Sequence, residues 1–370
     1  MPNRLSHSSI SRWQQCPTSW KNHYVNRIRT TKSKAALLFG TALDKSISAI
    51  LEQVDDQTGE QIFDQYWRFQ YVNGNQEYIP TLSSLVYAKT DFDEELVSDE
   101  GWSKIESTKE EVLNLIQRRN SEGFDALSDE QKSIVNHAYW WSMHTKGHLM
   151  IKAFRKKVMP KIKKVYSTQE EINLENDEGD SVIGFIDLIA DIEGYDRPVI
   201  LDLKTSARQY DEETSVIYSP QLSLYTHAMS EKYNTRLAGY IVLNKAVIKN
   251  RTKICSVCNH DGSGSRAKTC DQETLQMVES KKGSAEKLVR CNGAWNETLD
   301  PDIYVQFLVE EIPQATEDLI IENIIDINQS IKHNVYSKNL SSCLNSFGSP
   351  CDYIDLCYKG KMDGLKEFEK

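Results

Sequence analysis

The sequence lacks three features that mark particular classes of protein. It has no run of about 18 apolar residues, which argues against a membrane-spanning helix. Its first residues, MPNRLSHSSISRW, contain no apolar signal-peptide core, and this predicts a cytoplasmic protein. It also has no excess of basic residues, because the formal net charge is −10.

The acidic net charge bears on any binding to nucleic acid, because proteins that bind phosphate usually carry a basic surface. One basic stretch, KAFRKKVMPKIKKVY at residues 152–166, departs from the overall balance. It either contacts a nucleic acid or forms the solvated face of a helix, and the sequence is compatible with both. A metal-dependent nuclease also requires acidic residues of its own, so the net charge does not exclude that class.

The 370 residues, 39% hydrophobic and 26% charged, have the composition of a soluble globular protein. We expect one elaborated domain over residues 1–370, with an α/β fold in which helices flank a mixed central β-sheet. Ser8 or Ser9 is expected to cap the first helix, and Ser219 a later one. The predicted helices cover 8–29 with a break at Pro17, 39–53, most of 54–164, 219–233 and 317–333. The predicted strands cover 165–174, 181–192, 199–205 and 237–248.

Two predicted strands each carry an acid within an apolar run, Asp187 in SVIGFIDLIADI and Asp202 in VILDLKT. A carboxylate buried alone is costly, and it becomes tolerable when a cation such as Mg²⁺ neutralises it. Lys204 projects from the same strand face as Asp202 because strand side chains alternate. An ammonium there can orient an attacking water or stabilise charge on a phosphate. The alternative is an ordinary ion pair at a sheet edge.

Three motifs follow one another around these acids: GFID at 184–187, DLK at 202–204 and QLSLY at 221–225. Together they resemble the PD-(D/E)XK nuclease superfamily, and specifically its RecB-like branch. That branch includes the CRISPR adaptation nucleases and the nuclease domains of bacterial recombination helicases. The resemblance implies a restriction-endonuclease-like core, with residues 165–248 as catalytic sheet and helix and Mg²⁺ or Mn²⁺ as the cofactor.

The resemblance also implies a role for each motif residue. Asp187 and Asp202 would bind the metal, the Leu203 carbonyl would add a ligand, and Lys204 would be catalytic. The residues implied to shape the site and touch DNA are Gln221 and Tyr225, one helical turn apart. Without the neighbouring strands, that pair would suggest an ordinary helix surface.

One position departs from the branch, which usually has a histidine at the end of a G-x-x-x-H motif on an early helix. The matching stretch here is GTALD, residues 40–44, which places Asp44 at the position of that metal ligand. An aspartate suits a hard cation as well as a histidine does. Glu170 and Glu171, on the preceding strand, are reserve ligands.

Eight cysteines without an export signal indicate metal sites or reactive thiols more than disulfides. Residues 249–296 are poor in apolar side chains and begin their cysteines with C-x-x-C, which predicts a zinc-binding insert. Its four ligands would be Cys255, Cys258, Cys270 and Cys291, with His260 as an alternative. Metal binding would supply folding energy to this polar segment. The insert would contact DNA or a partner, or cap the site.

The other four cysteines lie at the two ends of the chain. SSISRWQQCP near the start also resembles the RecB-like branch, in which the first cysteine joins three from the C-terminus to hold a four-iron four-sulfur cluster. Residues 297–370, predicted as C-terminal helices and a cysteine tail, supply the rest. The implied ligands are Cys16, Cys343, Cys351 and Cys357. The gap of seven residues before Cys351 is longer than usual, so zinc or unligated thiols stay open alternatives.

These observations predict a metal-dependent deoxyribonuclease that hydrolyses phosphodiester bonds with the help of Lys204. Analogy with the branch favours exonuclease action on DNA ends or single strands, with a helicase or recombination protein as a partner. Two alternatives come from other classes. One is a non-catalytic DNA-binding or assembly subunit that keeps the fold, and the other is a docking protein in which the zinc insert is the working part.

Overall fold

The computed structural model describes residues 4–31, 33–52, 56–72, 75–78, 85–86, 92–175, 180–206, 209–245, 252–260, 262, 267–280, 283–298, 305–344 and 350–368. Within these ranges, a six-stranded mixed sheet carries helices on both faces. This arrangement confirms the predicted fold class.

The helices vary in length from single turns to 29 residues. They are α1 His7–Gln15, α2 Pro17–Trp20, α3 Ala35–Leu51, α4 Asp56–Arg68, α5 Asp99–Lys104, α6 Lys109–Glu122, α7 Asp129–Lys157, α8 Thr214–Ile217, α9 Pro220–Tyr233, α10 Gln314–Lys332 and α11 Ile354–Lys359. The strands of the central sheet are β1 Arg4–Ser6, β7 Ile162–Glu175, β8 Ser181–Ile192, β9 Val199–Ser206, β10 Leu237–Asn244 and β15 Val305–Glu311. The remaining strands form two-stranded pairs: β2 Ile28–Thr30, β3 Ser33–Lys34, β4 Phe69–Val72, β5 Asn75–Tyr78, β6 Leu85–Val86, β11 Thr252–Cys255, β12 Glu273–Ser280, β13 Gly283–Arg290, β14 Trp295–Thr298 and β16 Leu365–Glu367.

The central sheet is organised around β8. Strand β7 pairs antiparallel along one edge of β8. On the other edge, β1 pairs in parallel with residues 181–183, and β9 pairs antiparallel with residues 188–190. Strand β10 then lies parallel to β9, and β15 lies antiparallel to β10. Residues 184–187 therefore have neither β1 nor β9 as a ladder partner, which leaves a fork in the sheet.

Two apolar clusters cover the two faces of the sheet. The first packs α3, α4 and α7 against it and includes Val199 and Leu201 of β9. The second packs α1, α9 and α10 against the opposite face and includes Ile200. Because successive residues of β9 enter different clusters, its sequence is apolar without alternation, as in strands buried on both faces. By the same alternation, Asp202 lies on the face that α9 covers.

Several predicted elements are confirmed, and one predicted cap is wrong. Helix α9 begins as expected, since Ser219 Oγ accepts a hydrogen bond from Leu222 N at 3.1 Å and Pro220 occupies the first turn. The predicted helix 8–29 does break at Pro17, but its cap is Ser6, whose Oγ accepts from Ser9 N at 3.3 Å. Ser8 and Ser9 lie inside the first turn, because β1 delivers the chain to the helix two residues earlier.

Other elements were not predicted from the sequence. Strand β15 falls in the region expected to be helical, and its short apolar run VQFLV has no period that separates a strand from a helix. The three-residue β1 forms only because β8 offers it an edge. Residues 54–164 are mostly helical as expected, but they also include the β4–β5 hairpin. The end of the predicted strand 237–248 lies outside the described residues.

No helix in the described ranges is long and apolar enough to cross a membrane.

The helical layer behind α3 depends on close packing between α4 and α7. Phe63 of α4 is fully buried, and its ring lies against Gly147 of α7 so closely that an added Cβ would overlap it. The same ring contacts Phe39 of α3 edge-on, with centroids 5.9 Å apart. Phe63 therefore joins the three helices that cover one face of the sheet.

Gly147→Ala tests this packing. Helix propensity alone would favour Ala by about 1 kcal/mol. We expect the opposite sign, a loss of about 1–3 kcal/mol, because the methyl group displaces a fully buried ring that packs against Phe39 and Trp67. Chemical denaturation of both proteins measures the difference. The double variant Gly147→Ala/Phe63→Leu should recover part of the loss, whereas an increase in stability from Gly147→Ala would show that the two helices do not pack in this way.

Candidate active site

Asp187 lies at the fork in the sheet. The register of β8 and β9 places it beside Asp202, one position beyond the last paired residues, Leu188 and Leu201. There its Oδ2 accepts a hydrogen bond from Leu203 N at 2.7 Å, so a carboxylate oxygen replaces a backbone carbonyl as the acceptor. Gln169, opposite on β7, donates Nε2 to Asp187 Oδ1 at 3.2 Å. These two donors fix the carboxylate in place.

Asp202 is the most deeply buried acid of the site, with 2% of its surface exposed. Its Oδ1 accepts a hydrogen bond from Gln221 Nε2 at 2.7 Å. Its Oδ2 lies 2.5 Å from Lys204 Nζ but has no well-aligned hydrogen bond in the described part of the chain. Burial and the nearby Asp187 raise the pKa of Asp202 to about 7, although Lys204 lowers it. A buried oxygen in this situation suits a divalent cation.

Gln221 and Tyr225 connect α9 to both acidic strands. Gln221 Nε2 also lies 2.8 Å from Tyr225 OH, and Tyr225 OH donates to the Phe185 carbonyl at 2.8 Å. Gly184 of the GFID motif allows the Tyr225 ring to approach β8 closely, because a Cβ at this position would lie 3.3 Å from the ring. With 3% of its surface exposed, Tyr225 orients the site from inside the fold. Gln221 also lines the cleft described below, and DNA contact by these two residues stays a prediction.

Asp44 reaches the site from α3, on the other face of the sheet. It lines a small cavity together with Asp187 and Leu203. Burial and the charge of Asp187 raise the pKa of Asp44 to about 6, with Lys45 and Lys204 opposing this shift. Gly40 allows the helix to approach, since a Cβ there would lie 3.2 Å from Thr205 Oγ1. The structure thus brings Asp44 to the two strand acids.

The two reserve acids have other surroundings. Glu170 forms a close ion pair with Lys232 of α9, and this partner and Ser167 lower the pKa of Glu170. Glu171 is exposed on β7. Neither residue lines the cavity that Asp44 shares with Asp187 and Leu203.

Some residues of the site were missed in the sequence. Besides Gln169, they include His7 at the start of α1, whose pKa is lowered to about 4 by burial and by the charge of Lys204. Tyr240 of β10 lies beneath Lys204, with its ring centroid 5.8 Å from Nζ. None belongs to a recognisable motif. Their positions depend on β7, β1 and β10, which pair with other strands of the central sheet.

A cleft of about 1020 Å³ opens from Lys204 and Gln221 toward the C-terminal tail. Its walls come from α1, the segment before α9 and residues near Cys351, and most of them are polar. Basic side chains among them are Arg12, Lys34 and Lys204. Lys204 and Gln221, which both contact Asp202, therefore connect the acids of the site to this cleft.

The cysteines of the predicted insert form one compact group. The ligand atoms of Cys255, Cys258, Cys270 and Cys291 all lie within 4.8 Å of one another. Two pairs are 3.4 and 3.6 Å apart, close to the spacing of about 3.8 Å that follows for sulfurs placed tetrahedrally about 2.3 Å from zinc. The His260 carbonyl accepts a hydrogen bond from Cys255 N at 2.9 Å, and the His260 ring does not belong to this group. These four thiols could hold a metal ion.

The cysteines from the two chain ends also meet. Cys16, Cys343, Cys351 and Cys357 line one small cavity. They do not form a group with ligand atoms all within 4.8 Å, so their sulfurs are spread more widely than those of the insert.

Comparison with known proteins agrees with this geometry. The family model described as "PD-(D/E)XK nuclease superfamily" matches residues 4–358. The chain belongs to that superfamily. A crystal structure from Eubacterium rectale, of a protein provisionally named as an exonuclease, is similar to this nuclease family member with a TM-score of 0.38 and 11% identity. The alignment covers 96% of this chain and 94% of that one, but at this TM-score the similarity adds nothing to the assignment. No curated protein matches the chain.

Asp44→Asn tests whether the third acid belongs to the site. The raised pKa means that the folded metal-free protein binds this proton more tightly than the unfolded chain. Its contribution to stability is therefore present below pH 3.8 and is lost as the pH rises to about 6. We expect the variant in EDTA at pH 8 to unfold at a temperature a few degrees above that of wild type.

Added Mg²⁺ should then stabilise wild type more than Asp44→Asn. Asp196→Asn is the matched control, because Asp196 lies on an exposed turn with 88% of its side chain accessible. Thermal unfolding with and without Mg²⁺ measures all three proteins. Equal shifts in Asp44→Asn and wild type would remove Asp44 from the ligand set.

Proposed function

We propose that the protein is a Mg²⁺- or Mn²⁺-dependent deoxyribonuclease that acts on DNA ends or single strands. One observation carries the proposal: the buried Asp202 lies between Gln221 and Lys204, which both line a large polar cleft, and among the described residues its Oδ2 has only the Lys204 ammonium, 2.5 Å away, as a partner. A structural ion pair would not need a second and a third acid next to it. The superfamily assignment gives independent support.

The residues that would hold the divalent ion are Asp187, Asp202, the Leu203 carbonyl and Asp44. When bound, the ion supplies a Lewis acid that stabilises negative charge on the reacting phosphate. Gln221 holds Asp202 in one orientation, and the Leu203 amide does the same for Asp187. Both strand acids therefore present fixed oxygens, which limits reorganisation during the reaction.

Lys204 would position the attacking water or a phosphate oxygen. Its ammonium lies between the Asp202 carboxylate and the Tyr240 ring, and 30% of the side chain is exposed toward the cleft. From this place it can donate a hydrogen bond to an oxygen that gains charge. Such a donor favours the transition state over the ground state.

The cleft supplies a path for a nucleic-acid strand. Arg12 and Lys34 on its walls can pair with phosphates, although Lys34 currently lies 3.4 Å from Asp352. Tyr218 on the same wall is 69% exposed and offers a ring on which a base can stack. The cleft is lined by three Lys or Arg side chains and two acids, Asp211 and Asp352, so it is more basic than the whole chain with its net charge of −10. These contacts favour a single strand or a frayed end over an intact duplex.

Lys204→Ala tests the proposal directly. Wild-type protein with Mg²⁺ or Mn²⁺ should degrade end-labelled linear DNA, and EDTA should stop the reaction. The variant should be slower by about 100-fold or more, because it loses a donor aimed at the reacting group. Lys132→Ala, on α7 far along the chain from the acids, is the matched control and should keep wild-type activity. If wild type leaves both single- and double-stranded DNA intact, the chain is a non-catalytic subunit instead.

The same assay separates modes of cleavage. A covalently closed single-stranded circle has no ends, so an exonuclease should spare it while it degrades the linear form. Cutting of both forms at similar rates would make the protein an endonuclease.

For the terminal cysteines we propose a four-iron four-sulfur cluster, and for the insert a zinc ion. The four terminal cysteines share one cavity but are spread more widely than a single ion requires, which supports the first assignment. The four insert cysteines, with ligand atoms all within 4.8 Å of one another, support the second. A helicase or recombination partner and a cytoplasmic location stay predictions from the sequence, as does the division of the chain into a nuclease core, a zinc insert and a cysteine tail.

Anaerobic purification tests the cluster. The protein should be brown and contain about four irons, and Cys357→Ser should lose the colour while its zinc content is unchanged. Cys258→Ser should do the reverse. A colourless protein that contains zinc at both cysteine sets would contradict the cluster.

A further inference from the structure

A third group of metal-ligating side chains lies between α4 and α7, apart from the acids and the cysteines. Asp64 of α4 faces His144 and His148 of α7, and the three ligand atoms all lie within 4.8 Å of one another. Both histidines direct Nε2 at the same oxygen, Asp64 Oδ1, at 2.7 and 2.8 Å. No step of the proposed nuclease reaction uses them.

We propose that Asp64, His144 and His148 bind a divalent transition-metal ion that joins α4 to α7. Two imidazoles and a carboxylate are the donor set that such ions prefer, and Mg²⁺ does not. The two histidines are four residues apart, so they project from the same face of the helix and can chelate one ion.

The distances are compatible with a small opening of the group. An ion about 2.0–2.1 Å from each donor would separate neighbouring donors by about 3.3 Å in a tetrahedral site. The present nitrogen–oxygen distances of 2.7 and 2.8 Å are hydrogen-bond lengths, so each would lengthen by about half an ångström. The two rings, with centroids 4.7 Å apart and an angle of 62° between them, already avoid stacking on each other.

The site is reachable from solvent. The side chains of Asp64, His144 and His148 are 35%, 16% and 32% exposed, so an ion can enter and a water can complete its coordination. The surroundings of the group are closely packed. Phe63, next to Asp64 in sequence, packs on Gly147 and lies edge-on to His148 at 5.5 Å. The packing that holds the two helices together therefore also sets the positions of the ligands.

Co²⁺ binding measures the site. Metal-free wild type, Asp64→Asn and His148→Gln are titrated with Co²⁺, and the bound equivalents and visible spectra are compared. His137→Gln is the matched control, since it removes another half-buried histidine of α7 that lies outside the group. Asp64→Asn is the conservative variant, because its amide has nearly the same shape and can still accept a hydrogen bond. Circular dichroism verifies that each variant is folded.

We expect wild type and His137→Gln to bind one equivalent of Co²⁺ more than the other two variants. The difference spectrum should show weak d–d bands without sulfur-to-cobalt charge transfer, because the lost ion has nitrogen and oxygen ligands. Equal binding by all four proteins would mean that the three residues form only a hydrogen-bonded cluster, and the proposal would fail. Charge-transfer bands in the difference would assign the lost ion to cysteines and would also overturn it. Neither outcome depends on nuclease activity.

Discussion

The close approach of three carboxylates, one buried and two partly buried, is the constraint around which the site is built. Asp44, Asp187 and Asp202 come from three different elements. Burial raises the pKa of each, and the charge of a neighbouring carboxylate adds to the shift at Asp44 and Asp202. Lys204 offsets this repulsion only in part. The acids stay together because apolar packing elsewhere fixes the elements that carry them. The free energy of that packing offsets the repulsion among the carboxylates, and a bound divalent cation would relieve this repulsion.

The two apolar clusters position different residues of the site. The cluster around α3, α4 and α7 holds Asp44 against one face of the sheet, while the cluster around α1, α9 and α10 holds Gln221 and Tyr225 against the other. Between them, the fork in the sheet lets the carboxylate of Asp187 take over a backbone hydrogen bond. Small residues are placed where the layers come closest, as at Gly40 and Gly184. Stability of the helical layers and geometry of the acids are therefore linked.

Much of this arrangement could be predicted from local sequence. The strand–strand–helix unit has its own signals, in the apolar run around Asp202 and in the Ser219 cap followed by proline. The resemblance of three motifs to the PD-(D/E)XK superfamily also implied that the acids, Lys204 and Gln221 belong together. The histidine pair of α7, His144 and His148, also has a local signal, the H-x-x-x-H spacing. Its carboxylate partner, Asp64, lies 80 residues away, and no local pattern joins them.

Local sequence is enough to predict which strands and helices carry the acids, because periodicity, capping and turn residues act over a few positions. How these elements meet depends on contacts between distant parts of the chain. Strand β1 exists through its pairing with β8, and β15 through its pairing with β10. The approach of Asp44 to Asp187, the burial of Tyr225 and the meeting of the terminal cysteines likewise depend on contacts between distant segments. Such contacts depend on the packing of whole surfaces, and a short stretch of sequence does not specify which distant segment will pack against it.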